Sequence, residues 1–319
     1  MTSIAKRCEW IDTAKGIAIF LVVLGHSVQY YLCKDNYEGH VLWRFIYSFH
    51  MPFFFILSGY VIGLKPIVIN VKGKAKRLLI PYFMWALVNF FAVSIIDGVD
   101  LSKIWDYIYT PSKGGLWYLW ALFFIYTIHA IIACLVQNKY MRIFAFISLA
   151  TLLFFISNII NGHFGFSEIS KYFPYYVIGC YLGRMSFLQE GPNIKHGMII
   201  LLGGMGTLFI ALFGINHICI LSSIYKFILA LTFSMVFLVL ARSISSSSIF
   251  YSPLHMLAKQ TLGIYAIDTY IIIFLSLIIQ KLWFWPIAVV IDLCVSYVIT
   301  LFIQRYNLMS RLFLGVYSK

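Results

Sequence analysis

Asp12, Lys15 and His26 lie within the first long apolar stretch of the chain. At 100° per residue, the steps from Lys15 to His26 close three turns with about 20° to spare. Those from Asp12 to His26 fall about 40° short of four. All three share one helix face, with Ile19 and Val22 between them, and about 16 Å of rise separates Lys15 from His26. Histidine is suited to accept a proton from a hydroxyl in a transition state, so this face reads as a polar track with His26 as general base. The same residues also fit a plainer arrangement. Asp12 and Lys15 then form a local pair at the inner interface, and His26 is a hydrogen-bonded interhelical histidine. A second cluster, Lys72, Lys74, Lys76 and Arg77, suits phosphate groups, and equally an anionic lipid surface or a topology signal.

These residues sit in a chain whose solvent is lipid. Of its 319 residues 62% are hydrophobic and 11% charged, against about 45–50% apolar and about 25% charged in a soluble domain. Folded in water, the chain has too little polar surface to cover itself, which excludes a soluble enzyme, a disordered protein and a nucleic-acid-binding domain. The six cysteines show neither paired nor metal-ligand spacing, so no disulfide framework and no metal site are expected. About 20 apolar residues are needed per crossing. Ten segments qualify: 11–31, 42–64, 78–96, 116–136, 143–160, 172–188, 198–214, 219–241, 262–280 and 283–303. The sixth is the weakest, being short and carrying Pro174 and Gly179. The first is not read as a cleaved signal peptide, since Asp12 and Lys15 interrupt it and no small-residue cleavage site follows.

With the N-terminus inside, sixteen Lys and Arg fall on the inner side, six outside and two within spans. That asymmetry favours both termini in the cytoplasm. The expected fold is an all-α polytopic transmembrane bundle of about ten helices, with residues 1–319 forming one domain in the cell (inner or plasma) membrane. Charge at bilayer depth costs several kcal/mol unless paired or facing a polar cavity. Depth along the spans pairs Lys226 with Asp292 as a structural ion pair, and brings Asp268 near Lys15.

Four segments go beyond a generic membrane protein: Trp10–Gly16 continuing through Val22–Ser27; Phe49–Tyr60, with Met51-Pro52 and Ser58-Gly59; Lys74–Tyr82; and Gly115–Leu119. In order and spacing they resemble the acyltransferase-3 family of multi-pass membrane acyltransferases, especially its sugar O-acetylase branch. The resemblance covers about residues 7–122 and continues weakly through Phe173–Gly179 to Thr261–Tyr265. It implies about ten helices, an acyl-CoA donor used from the cytoplasmic side, and a glycan or lipid-linked sugar hydroxyl as acceptor. Lys15 and His26 match the family's basic residue and histidine, with Lys in place of the usual Arg. Lys74 and Arg77 match an Arg-x-x-Arg motif with Lys first. Asp268 stands where many members have a histidine, which argues against a direct catalytic role there.

On this reading the chain is a membrane O-acyltransferase. It takes an acyl group, acetyl above all, from acyl-CoA as co-substrate, with no bound cofactor, and passes it to a cell-surface polysaccharide or lipid-linked sugar. His26, Lys15 and Asp12 are the catalytic candidates, with His26 the base and Lys15 in donor positioning or a charge network. Lys72, Lys74, Lys76 and Arg77 are the donor-binding candidates. Met51-Pro52 and Ser58-Gly59 read as architecture. Trp117 and Tyr118 read as interface anchors or as acceptor-stacking residues. Membrane lipids are the other partner, and nucleic acid is not. The rival class is a transporter of a glycan or small anion, for which intramembrane charges serve equally well. A weaker one is an assembly or signalling partner with a degenerate site.

Overall fold

The computed structural model describes residues 9–64, 69–97, 100–111, 115–157, 164–185, 219–244 and 248–317. Among these, every regular element is helical. The α-helices are α1 (Glu9–His26), α2 (Val41–Gly63), α3 (Val71–Asp97), α4 (Ile104–Tyr109), α5 (Trp117–Leu135), α6 (Lys139–Ile156) and α7 (Phe166–Arg184). They continue with α8 (Cys219–Ser243), α9 (Tyr251–Lys259), α10 (Thr261–Ile278), α11 (Trp285–Arg305) and α12 (Asn307–Leu314). Among the described residues, eight helical segments are long and apolar enough to cross a membrane. They coincide with the first five and last three expected spans. The sixth is the helix α7, which begins at Phe166 and carries Pro174 inside. The seventh, 198–214, lies outside the described residues.

The chain divides into two compact units, one of residues 1–57 with 185–298 and the other of 58–184 with 299–319. In the first unit α1 is the central element. Its acidic residues Glu9 and Asp12 fall in the first turn and His26 in the last, the arrangement the helix dipole favours. Most of its circumference is buried, including Ala14, Ala18, Ile19 and Val23. Gly16 makes its tightest contact: a Cβ there would stand 2.1 Å from the Leu254 carbonyl oxygen, so α9 lies backbone-to-backbone on α1. Aromatic rings fill the layer between α2 and α8, with Phe49 and Phe237 stacked at 4.8 Å and Phe45 edge-on to Phe233 at 4.9 Å. Beyond His26 the helix widens into a π-helical stretch, Ser27–Cys33.

In the second unit, glycines let α7 approach the end of α2. A Cβ on Gly59 would lie 2.0 Å from the Tyr176 carbonyl oxygen, and one on Gly63 2.3 Å from that of Cys180. This is the small-residue packing of membrane helices, in which backbone proximity replaces a hydrophobic driving force. Pro81 removes the donor that would serve the Arg77 carbonyl. Gly315, left-handed after α12, packs on that same carbonyl. Trp85 Nε1 donates to the Phe313 carbonyl at 3.0 Å. The C-terminal helix is thereby fastened to the early turns of α3.

Candidate functional site

His26 ends α1 where the chain passes into its π-helical stretch, a distortion that recurs at functional sites because it re-aims side chains. Its Nδ1 lies 2.8 Å from Asp268 Oδ2. Asp268 is on α10 and fully buried. Its other oxygen, Oδ1, accepts the Thr269 N–H at 2.7 Å and the Thr269 hydroxyl at 3.3 Å. Thr269 Oγ1 is also 3.3 Å from His26 Nδ1. A buried carboxylate needs such partners, and here both oxygens have them. With Nδ1–H donating to the carboxylate, the imidazole presents Nε2 as an acceptor. Nε2 has no protein partner among the described residues. The side chain is 17% exposed, and the Tyr30 ring stands edge-on to it at 5.9 Å. A carboxylate that fixes the tautomer of a partly open histidine is the arrangement of a general base.

The N-terminal end of α1 is a separate polar station. Lys15 Nζ lies 3.7 Å from Asp12 Oδ1. Thr13 Oγ1 is 3.1 Å from His255 Nε2 on α9, and Tyr251 donates to Glu9 at 3.0 Å. Between this station and His26 the shared face is closed by Ile19 and Val22, at 0% and 2% exposure. The expected polar track is two sites about 16 Å apart along the helix axis.

Two expected pairings do not form. Asp268 bonds His26 rather than Lys15: the short helix α9 lies beside Thr13 and Gly16 near the N-terminal end of α1, and Asp268 on the following helix meets the opposite end. Lys226 is exposed, whereas Asp292 is fully buried, its Oδ1 accepting the Ser296 hydroxyl at 2.9 Å. Ala288, one turn before Asp292, packs with Ile272 of α10, one turn after Asp268. Asp292 thus lies on the side of α11 that packs against α10.

In the second unit the basic cluster occupies the first two turns of α3. Asn70 accepts the Gly73 N–H at 2.8 Å and caps that end. Lys72, Lys76 and Arg77 are exposed, while Lys74 lies over the Tyr126 ring at 4.1 Å. Trp117 stacks on Tyr172 at 5.2 Å, and the Tyr118 hydroxyl is 2.8 Å from Ser58 Oγ. Both rings are engaged in helix packing.

Sequence reasoning missed Thr269 and gave Asp268 the wrong partner. A Thr directly after an intramembrane Asp was the available signal, since its N–H and hydroxyl can satisfy one carboxylate oxygen and leave the other for a partner.

The family model described as acyltransferase domain matches residues 9–303. The nodulation protein NolL of Mesorhizobium japonicum is 35% identical over 127 residues, 35% of this chain and 32% of that one. NolL of Sinorhizobium fredii is 34% identical over 126 residues, with the same shares. The inner membrane protein YcfT of Escherichia coli is 25% identical over 222 residues, 59% of this chain and 60% of that one. The chain thus matches about a third of each NolL protein's length. No solved structure matches it.

Proposed function

The chain belongs to the acyltransferase family whose domain spans residues 9–303, and on that premise we propose that it moves an acetyl-sized acyl group from acyl-CoA to a hydroxyl of a cell-surface polysaccharide or lipid-linked sugar. The observation that carries the reading is the 2.8 Å contact between His26 Nδ1 and Asp268 Oδ2. It leaves Nε2 to take the hydroxyl proton as the oxygen attacks the thioester carbonyl. The tetrahedral intermediate then expels the thiolate of coenzyme A, which receives that proton from the imidazolium. Asp268 holds the ring and steadies its positive charge. The family supports an enzyme over a transporter, and one histidine used twice in this way is enzyme chemistry.

On the donor side, Lys72, Lys76 and Arg77 are exposed cations at a helix N-terminus, a place that already favours anions. Coenzyme A carries several phosphate charges, and charge-assisted bonds to them are strong. Lys74, seated on Tyr126, anchors the turn rather than reaching outward. Lys15 and Asp12, remote from His26 along α1, hold the inner end of that helix and act through it. Many apolar helices support a multi-pass membrane protein, and we place it in the cell membrane with both ends inside.

The test is mass spectrometry of surface glycans from a strain lacking the gene, complemented with wild type or His26→Ala. An acetyl-sized mass increment restored by wild type alone supports the reading. Restoration by both removes His26 from the mechanism, and no change on deletion removes the enzyme.

A further inference from the structure

Beside His26 lies a group of aromatic side chains that the acyl-transfer chemistry does not use. Trp43 stacks on Tyr47 with ring centroids 4.2 Å apart, and the Tyr37 ring tilts onto Trp43 at 55° and 4.9 Å. Trp43 and Tyr47 lie nearly parallel, at an interplanar angle of 23°. All three are partly exposed. The stack adjoins the base. A Cβ on Gly25, the residue before His26, would lie 2.9 Å from the Tyr47 ring. Gln29, three residues beyond His26, accepts from Tyr47 OH at 2.5 Å and from Trp43 Nε1 at 3.4 Å.

That shared bond fixes the amide. Indole nitrogen only donates, so the Gln29 oxygen must face the rings and its NH2 group must face away. The NH2 hydrogens have no protein partner among the described residues. An aromatic residue serving only as a membrane-interface anchor turns its polar atom toward headgroups and water. Trp43 and Tyr47 turn theirs onto one side chain next to the base. A flat apolar surface beside an oriented pair of N–H donors suits a pyranose ring, whose C–H face is apolar and whose hydroxyls accept hydrogen bonds. Trp117 and Tyr118, the earlier candidates for this role, are taken up by Tyr172 and Ser58.

We propose that Trp43 and Tyr47, with Gln29 as polar contact, bind one neutral pyranose ring of the acceptor and seat its hydroxyl at His26 Nε2. The assignment of the bound ring as an acceptor rests on the acyl-transfer reading; the sugar site itself does not.

Saturation-transfer NMR on the full-length protein in nanodiscs tests it, with the methyl pyranosides of glucose, galactose, N-acetylglucosamine and rhamnose as probes. The expected result is saturation of at least one probe, strongest at its ring C–H protons. Trp43→Ala and Tyr47→Ala should each weaken binding by about tenfold. Gln29→Ala should weaken it less, and Trp43→Phe should keep most of it. Should Trp43→Ala or Tyr47→Ala fail to fold, the other, together with Gln29→Ala, still decides. Either no saturation of any probe by wild type, or wild-type binding by the folded alanine variants of Trp43, Tyr47 and Gln29, overturns the sugar site. Glycan mass spectrometry on the same variants separates the two readings. A restored acetyl mass with no saturation sinks the platform and leaves acyl transfer standing. Saturation at these rings with no acetyl mass does the reverse.

Discussion

At the level of single residues, the account turns on how a carboxylate governs an imidazole. Asp268 gives one oxygen to Thr269 and the other to His26. Asp268→Asn keeps the shape but puts an amide where the carboxylate stood, so the ring loses both the partner that sets its tautomer and the charge that steadies its protonated form. Turnover should fall by roughly 10²–10⁴ while protein level and donor binding stay unchanged, as read by acetyl incorporation per mole of purified protein. Thr269→Val removes a hydroxyl but leaves the backbone N–H on Oδ1. A loss of only a few-fold is expected from that change, measured in the same assay. Sequence singled out His26 by its type and its helical register with Lys15. Its partner was not legible there. His26 and Asp268 are 242 positions apart, and no periodicity connects them.

At the level of helices, two contacts carry testable consequences. Gly59 and Gly63 meet α7 at backbone distance, and a leucine at Gly59 would drive its side chain into the Tyr176 carbonyl. Overpacking of this kind costs about 1–3 kcal/mol or more. Gly59→Leu should therefore lower the unfolding temperature of the detergent-solubilised protein, whereas Gly59→Ala should do so less. At the start of α3, Lys72→Ala, Lys76→Ala and Arg77→Ala together should raise the KM for acetyl-CoA about tenfold or more. The kcat should be little changed, and the effect should shrink at high salt. A drop in kcat at unchanged KM would assign those cations elsewhere. The amphipathic helix α9 is the element that span-counting could not see. It is too short to cross a membrane; it lies beside Thr13 and Gly16 near one end of α1, while Asp268 on the next helix meets His26 at the other. Depth arithmetic counts residues from span ends and takes no account of a short helix inserted before one of them.

Across the whole chain, hydropathy alone located the eight long apolar helices, because each must satisfy its backbone internally and expose carbon to lipid. Pro174, the residue that made the sixth candidate look weak, sits inside α7 without ending it. Side-chain partnerships were far less legible. The ordering of polar side chains along α1 suggested one path, yet Ile19 and Val22 are buried between its two polar ends. Helical angle gives a shared face but does not say what packs against each turn of it. The charge asymmetry makes a claim of its own: fluorescent-protein fusions at either terminus should both fluoresce in cells of a Gram-negative host, since both ends are placed inside. A dark C-terminal fusion would reverse the topology and put the α3 cations out of reach of cytoplasmic coenzyme A.

The most direct measurement is transfer of labelled acetyl groups from acetyl-CoA into glycan extracted from the gene-deletion strain, catalysed by the purified protein in proteoliposomes. Wild type should label the glycan, while His26→Gln, folded and still retaining acetyl-CoA, should be slower by at least about 10². Equal labelling by the two proteins would contradict a proton-accepting role for that imidazole.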